Sequence, residues 1–257
     1  MREKKTEAVI LDTSVVFDSD RLYLLFTREF GKLRARARGV RRPSSRLAGH
    51  LLPYLPCQME LVETGDFFLI VQAQLLSQYT STGGYPENSL LFLESAARLA
   101  EALDVLFVAR DPHPVIYDGL VYTLDRLRDL CATENPQAYR TEMVVVEFLV
   151  KALAELGYRP ELYSCVVSGG AVESDFLGWS SQLGGLLNKE GYERERATAV
   201  RIESPKTVVA LRKFSEPQFV AERLTMPDEV QKETVRLIYD YLQNQIGQPL
   251  KSLRSLQ

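Results

Sequence analysis

The residues best suited to chemistry in this sequence form a run of cations between Arg28 and Arg46. This segment holds eight lysines or arginines and a single acid, Glu29. From position 32 to position 40, basic residues alternate with apolar or small ones, which is the period of a β-strand. In a strand, one face would carry Lys32, Arg34, Arg36 and Arg38. The pattern therefore predicts a row of positive charge along one side of a strand.

Such a row is suited to the backbone of a nucleic acid. Side chains two positions apart on a strand are separated by about 7 Å, which is similar to the separation of successive phosphates on one extended strand. The charge continues into a loop, where Pro43 restricts the backbone and Ser44 or Ser45 can donate hydrogen bonds to phosphate. We therefore predict a DNA-binding surface made of Lys32, Arg34, Arg36, Arg38, Arg41, Arg42 and Arg46.

The distribution of charge supports a local anion-binding surface. The net charge of the 257-residue chain is only −3, but residues 1–50 hold 12 Lys/Arg against 6 Asp/Glu, which leaves 19 against 28 for the rest. An alternative is that the cations only solvate an outer face or protect an edge strand from aggregation. That role needs one or two lysines, whereas like charges packed side by side destabilise a sheet unless an anion relieves them.

Aromatic residues near the basic run are candidates for stacking on unpaired bases, although most aromatic side chains in a small barrel belong to its core. Because Phe67 and Phe68 are adjacent, a strand directs them to opposite faces, and one of them is expected to point outward. The full set of candidates is Tyr23, Phe26, Phe30, Tyr54, Phe67 and Phe68.

The elements that must position these residues are short strands in the first 76 residues. Segments rich in β-branched and aromatic residues are separated by turn residues, and residues 63–66 suit a hairpin turn. Five strands in so short a stretch fit a small closed barrel of the OB type, whose face binds oligonucleotides. The predicted strands are 8–16, 21–27, 32–40, 57–62 and 67–74.

Beyond a flexible junction at residues 82–84, the apolar period changes to that of helices. Residues 143–150 are apolar nearly all round, so their helix is expected at the centre of a helical body, whereas residues 163–192 are rich in Gly and Ser and indicate a loop-rich insert. Helix starts are predicted near Asn88 or Ser89, Pro114, Pro136, Pro205 and Asp228. The predicted fold class is α+β, with an OB-fold domain at 1–80 and a mostly helical domain at 81–257.

Several of these segments resemble a known family. Residues 7–11 (EAVIL), 20–22 (DRL), 25–32 (LFTREFGK) and 38–46 (RGVRRPSSR) resemble the N-terminal signature of the bacterial recombination mediator RecO family. Residues 247–253 (GQPLKSL) resemble the terminal motif of that family, and the helical middle is compatible with it. The resemblance covers essentially the whole chain.

The resemblance implies a fold and a function. It implies an N-terminal OB domain, a helical C-terminal domain, binding of single- and double-stranded DNA, annealing of complementary strands, and help in loading recombinase onto DNA coated by single-strand-binding protein. It also implies RecR and single-strand-binding protein as partners. The basic strand and loop of the family correspond to residues 32–46, so resemblance and charge pattern indicate the same surface.

One departure from the family concerns zinc. Many members carry a zinc ribbon with two Cys-x-x-Cys pairs in the insert, and the corresponding positions here are Cys165, Ser168, Asn188 and Gly191. One thiol of four remains, and Ser, Asn and Gly cannot replace thiolates around tetrahedral zinc. We expect a degenerate zinc-ribbon-like insert that persists as a metal-free loop or hairpin, and we expect no cofactor.

Enzymatic chemistry is not favoured. The sequence contains neither a Walker motif nor a dinucleotide fingerprint, and two histidines offer little for nucleophilic catalysis. Carboxylates at helical spacing, Asp118, Asp125 and Asp129, could hold a divalent ion for a nuclease, but interleaved arginines favour a solvated helix face. Without a signal peptide, a membrane span or a cysteine framework, we expect a cytoplasmic protein with no membrane partner. An RNA-binding OB-fold protein is the alternative.

Overall fold

The computed structural model describes residues 3–65, 67–80, 84–247 and 249–250. Their contacts form two compact units, Met1–Pro136 and Gln137–Gln257. The predicted boundary near residue 80, between an OB-fold domain and a helical domain, stays a prediction. Among the described residues, no helix is both long and apolar enough to cross a membrane.

The first unit is built on five strands that close into a barrel. Their order around the barrel is β1-β2-β3-β5-β4, and β4 closes the barrel on β1. All pairs are antiparallel except β3 with β5. This five-stranded arrangement confirms the predicted OB-type barrel. The strands are β1 (Glu3–Val16), β2 (Asp20–Thr27), β3 (Gly31–Ala37), β4 (Cys57–Glu63) and β5 (Phe68–Leu75).

The barrel forms because alternate residues of its strands are apolar and can fill its interior. Ala8 and Ile10 of β1, Leu25 of β2, Ala35 of β3 and Met59 of β4 are completely buried. The weakest seam joins β3 to β5, which are paired only at Ala35–Phe68 and Arg36–Leu69.

All five predicted strands are present, and two of their ends differ from the prediction by more than one residue. β1 begins earlier than predicted, because its polar start pairs with β4 from Glu3–Val62 to Ala8–Cys57. β3 ends at Ala37 and not at residue 40, because the chain turns at Gly39, whose φ is 63°. In the predicted hairpin turn, the Thr64 amide donates to the Phe67 carbonyl at 3.1 Å. Asp66 of that turn and residues 82–83 of the junction lie outside the described residues.

Among the described residues, three helices complete the first unit: α1 (Ser77–Thr80), α2 (Ser89–Leu106) and α3 (Pro114–Cys131). The connection between α2 and α3 returns to the barrel, where Ala109 bridges to Lys32 and the Arg110 amide donates to the Lys32 carbonyl at 2.7 Å. Gly31 permits this approach. It has a φ of 65°, and a Cβ atom there would lie 2.0 Å from the Asp111 carbonyl oxygen.

The second unit is organised around α4 (Ala138–Glu155), whose residues 141–150 are all buried. This confirms the predicted central helix. It packs against α6 (Pro205–Phe214), α7 (Asp228–Ile246) and a short 3₁₀ turn (Ala221–Arg223). Gly247, with a φ of 67°, ends α7, and the rest of the family-like motif that begins there falls mostly on residues outside the described part.

The predicted insert contains more regular structure than a loop. It includes the antiparallel hairpin of β6 (Gly178–Ser180) and β7 (Gly185–Leu187), followed by the short helix α5 (Lys189–Arg194). A third strand, β8 (Val200–Arg201), pairs with β6. The three-residue strands carry too little periodicity for a sequence pattern to reveal them.

Candidate nucleic-acid interface

Strand β3 has the two faces that the alternation predicted. Leu33, Ala35 and Ala37 are buried in the barrel, whereas Arg34 is exposed and Lys32 and Arg36 are half-buried on the outer side. Arg38 follows the strand in a turn and is also exposed. The cations therefore lie outside the barrel, but they differ in how far they reach solvent.

Two of the four cations are already paired with carboxylates. The Lys32 Nζ lies 2.8 Å from Oδ1 of Asp104 on α2, and it also contacts the Asp104 carbonyl oxygen. The Arg36 Nε lies 2.8 Å from Oδ2 of Asp20 on β2, and its Nη2 contacts the same oxygen. Acids from neighbouring elements therefore neutralise Lys32 and Arg36, and the prediction that these two residues bind DNA stays a prediction.

Asp20 organises this part of the surface. Its Oδ1 accepts hydrogen bonds from the Gly39 amide at 2.7 Å and from the Ser19 hydroxyl at 3.1 Å, while Oδ2 faces Arg36. The Gly39 amide and then Arg36 lower the pKa of Asp20 to about 2, because they stabilise its ionised form. One buried carboxylate therefore fixes the β1–β2 turn, the guanidinium of β3 and the start of the basic loop.

The basic loop after β3 runs through successive turns. The Arg41 amide donates to the Ser19 carbonyl at 3.0 Å, and the Arg41 Nη1 donates to the Asp18 carbonyl at 3.1 Å. Further along, the Ser45 amide donates to the Arg42 carbonyl at 2.9 Å. Within the described part of the chain, five cations of the predicted surface have no carboxylate partner, and these are Arg34, Arg38, Arg41, Arg42 and Arg46.

Arg34 lies where two depressions of the surface meet. One, of about 410 Å³, is also lined by Lys32, Asp104 and Arg110. The other, of about 180 Å³, is lined by Arg34 together with Asp12 and Asp104. No ion pair joins Arg34 to either acid in the described structure, so its guanidinium is available to a phosphate that lies over these depressions.

Three of the six aromatic candidates belong to the core, whereas Phe30, Tyr54 and Phe67 are half-buried. Tyr23, Phe26 and Phe68 are buried, and each exposes 3% of its surface or less. Phe67 is half-buried, so neither of the adjacent pair is fully exposed. The aromatic residue that does reach solvent was missed by the sequence reasoning. It is Phe17, in the turn between β1 and β2, and it exposes 68% of its surface.

Two of the three acidic residues of α3, Asp118 and Asp125, have partners within the first unit. Oxygens of Asp118 accept from Arg28 Nε at 2.8 Å and Nη2 at 3.0 Å, and this pairing lowers the pKa of Asp118. Asp125 accepts a hydrogen bond from the Tyr79 hydroxyl at 2.6 Å. No group of three or more His, Cys, Asp or Glu residues suited to a metal ion occurs among the residues that the structure describes.

The four positions of the degenerate ribbon lie together. The Asn188 amide donates to the Ser168 hydroxyl at 3.1 Å, and a Cβ atom at Gly191 would lie 2.7 Å from the Cys165 sulfur. Burial raises the pKa of the Cys165 thiol, but hydrogen bonds from the Ser168 hydroxyl and nearby amides outweigh it and lower the pKa overall. One thiol with a hydroxyl and an amide is not a donor set for structural zinc, so these residues do not fit the metal.

The fold and the surface define a class: an OB-type barrel protein with cations on the outside of its third strand, followed by a helical region. Sequence profiles define it more closely. The profile described as "Recombination protein O N terminal" matches residues 1–79, and "Recombination protein O C terminal" matches residues 90–254. The chain belongs to the RecO family of DNA repair and recombination proteins.

Individual relatives agree with this assignment. The chain is 30% identical over 253 residues to the DNA repair protein RecO of Bifidobacterium animalis subsp. lactis, covering 98% of both chains. It is 25% identical to the protein of the same name from Caldanaerobacter subterraneus subsp. tengcongensis, covering 98% of this chain and 96% of that one. It is 28% identical over 261 residues to the DNA repair protein RecO of Syntrophobacter fumaroxidans, covering 100% of this chain and 98% of that one.

Proposed function

We propose that this protein binds single- and double-stranded DNA through the outer side of β3 and the loop after it. The observation that carries the proposal is the set of exposed guanidiniums at Arg34, Arg38, Arg42 and Arg46, which all fall within residues 34–46 and have no carboxylate partner within the described residues. Phosphate contacts made by such groups supply most of the affinity of sequence-independent DNA binding.

The contact surface that we propose is narrower than the charge pattern alone indicated. Arg34 and the loop arginines contact phosphate directly, whereas Arg36 and Lys32 hold their ion pairs with Asp20 and Asp104. Arg36 thereby acts as a positioning residue for the turn and the loop. Its exposed neighbours contribute the charge that a phosphate chain meets.

We further propose that the bound DNA is annealed and that the protein is not an enzyme. Neutralising phosphate charge reduces the repulsion between two complementary strands, and this step needs no catalytic residue. By analogy with the family, the protein would act in the cytoplasm with RecR, on DNA coated by single-strand-binding protein, and help to load recombinase. The pairing of Asp118 with Arg28 and of Asp125 with Tyr79 supports this view over a nuclease, because those carboxylates already have partners.

The test is annealing of complementary single strands coated with their cognate single-strand-binding protein. The variant Arg34→Ala/Arg38→Ala should anneal more slowly than the wild type. The control Arg28→Ala/Lys32→Ala removes the same charge from the same segment, but from cations that face Asp118 and Asp104. Equal annealing by the wild type and both variants would contradict the proposal. Competition between DNA and RNA of matched sequence separates it from RNA binding, and an intact substrate with magnesium separates it from a nuclease.

A further inference from the structure

Phe17 combines a left-handed backbone with an exposed aromatic ring. It is the first residue of the three-residue turn 17–19 between β1 and β2, since Val16 pairs with Asp20 across that turn. Its φ is 64°, a left-handed conformation that is unfavourable for a bulky side chain and is usual for Gly or Asn. Yet its ring is 68% exposed, so the core gains little from it. A strained backbone under an exposed aromatic ring indicates a role outside folding.

The ring is held in place from one side. The guanidinium carbon of Arg36 lies 4.7 Å from the centre of the Phe17 ring, which is a cation–π contact. Arg36 is itself fixed by Asp20, whose other oxygen binds the Gly39 amide. Phe17 therefore rests on a guanidinium that cannot easily move, and the remainder of the ring faces solvent.

Cations of the basic loop lie beside the turn of Phe17, which itself carries the acids Asp18 and Asp20. Arg41 donates from its amide and its guanidinium to the carbonyls of Ser19 and Asp18, so the basic loop is attached to the turn that carries Phe17. Arg38 lies one residue before Gly39, which Asp20 binds. A phosphate chain bound along these cations would place its bases within reach of an exposed aromatic surface. In OB-type barrels the loop between the first two strands is one that contacts oligonucleotides.

We propose that Phe17 is a stacking platform for an unpaired nucleobase of the DNA strand bound on β3 and the basic loop. The base would cover the face of the ring opposite Arg36, giving a stack of guanidinium, phenyl ring and base. Every base has a π-face, so the contact is independent of sequence. It selects DNA whose bases are not already stacked in a duplex, and it gives the surface a preference for single strands that charge alone does not provide. This inference rests on the proposed DNA binding.

The test uses two ligands with equal charge. Binding to an oligo-dT and to an abasic deoxyribose-phosphate oligonucleotide of the same length is measured at one salt concentration. The wild type should bind the dT ligand at least about fivefold more tightly, which is the lower range for stacking of one base. Phe17→Gly removes the ring and accepts a positive φ, so it should bind both ligands equally and be no less stable to heat. Phe17→Trp should keep the preference.

Controls separate the possible failures. Val71→Ala trims another exposed apolar residue of the barrel and should change neither affinity. Arg38→Ala should lower the affinity for both ligands by the same factor. If Phe17→Gly unfolds, Phe17→Asn, which also tolerates a positive φ, replaces it. Equal wild-type affinity for the dT and abasic ligands would overturn the stacking proposal while leaving DNA binding intact. A loss of affinity in Phe17→Gly that is the same for both ligands would do so too. Absence of binding to either ligand at low salt would overturn the DNA-binding proposal itself.

Discussion

Replacing Arg34 and Arg38 by alanine should flatten the salt dependence of DNA binding. Each phosphate of a single strand that a cation neutralises contributes about −0.7 to the slope of log K against log salt concentration. Two such contacts therefore account for a slope change of about 1.4, and at 0.1 M salt they are equivalent to roughly a 25-fold change in affinity. Both side chains are exposed and lack a carboxylate partner within the described residues, so we expect the full effect.

The assay is a titration of fluorescent single-stranded DNA at several salt concentrations. Arg28→Ala/Lys32→Ala is the matched control, because it removes two charges from the same segment. These two cations already face Asp118 and Asp104, with closest distances of 2.8 Å in both pairs. The control slope should stay close to that of the wild type. If the control flattens the slope as much as Arg34→Ala/Arg38→Ala does, net charge and not the unpaired guanidiniums determines binding, and our reasoning fails.

Three further predictions concern stability and metal binding. The pKa of Asp20 is depressed to about 2, so its ionised form stabilises the fold above about pH 4, and this contribution is lost as the pH falls towards 2. Asp20→Asn should therefore weaken the pH dependence of stability between pH 4 and pH 2, measured by circular dichroism. Gly31→Ala should lower the free energy of unfolding in urea by at least about 2 kcal/mol, because its Cβ atom would lie 2.0 Å from the Asp111 carbonyl oxygen and φ is positive. A stability equal to that of the wild type would refute the close approach. The triple change Ser168→Cys, Asn188→Cys and Gly191→Cys should give stoichiometric zinc by metal analysis where the wild type has none, and failure would mean that these are not ligand positions.

The barrel could be predicted from sequence because its signal is local. Alternation along β3 follows from side-chain geometry within seven residues, and the structure keeps it from Gly31 to Ala37. The ends of strands were less predictable. β1 extends back to Glu3 through pairing with β4, a partner more than 50 residues away in the chain.

The state of each cation could not be predicted, because it depends on residues distant in sequence. Lys32 meets Asp104 across 72 positions, and Arg36 meets Asp20 across 16. Phe17 was missed for a different reason: hydrophobic residues next to a strand are normally read as core, and only the turn conformation shows that this one faces solvent. An aromatic residue directly before the polar turn residues Asp18 and Ser19 was the available signal.

The connection between α2 and α3 has a consequence for truncated forms of the protein. On β3, pairing with β5 is confined to Ala35 and Arg36, and the backbone at Lys32 is instead satisfied by Ala109 and Arg110. A fragment that ends after the last barrel strand would leave the backbone of β3 near Lys32 unpaired, as an exposed strand edge that can pair with another copy. Self-association of such a fragment would then reflect the missing covering segment and would not report how the whole chain assembles.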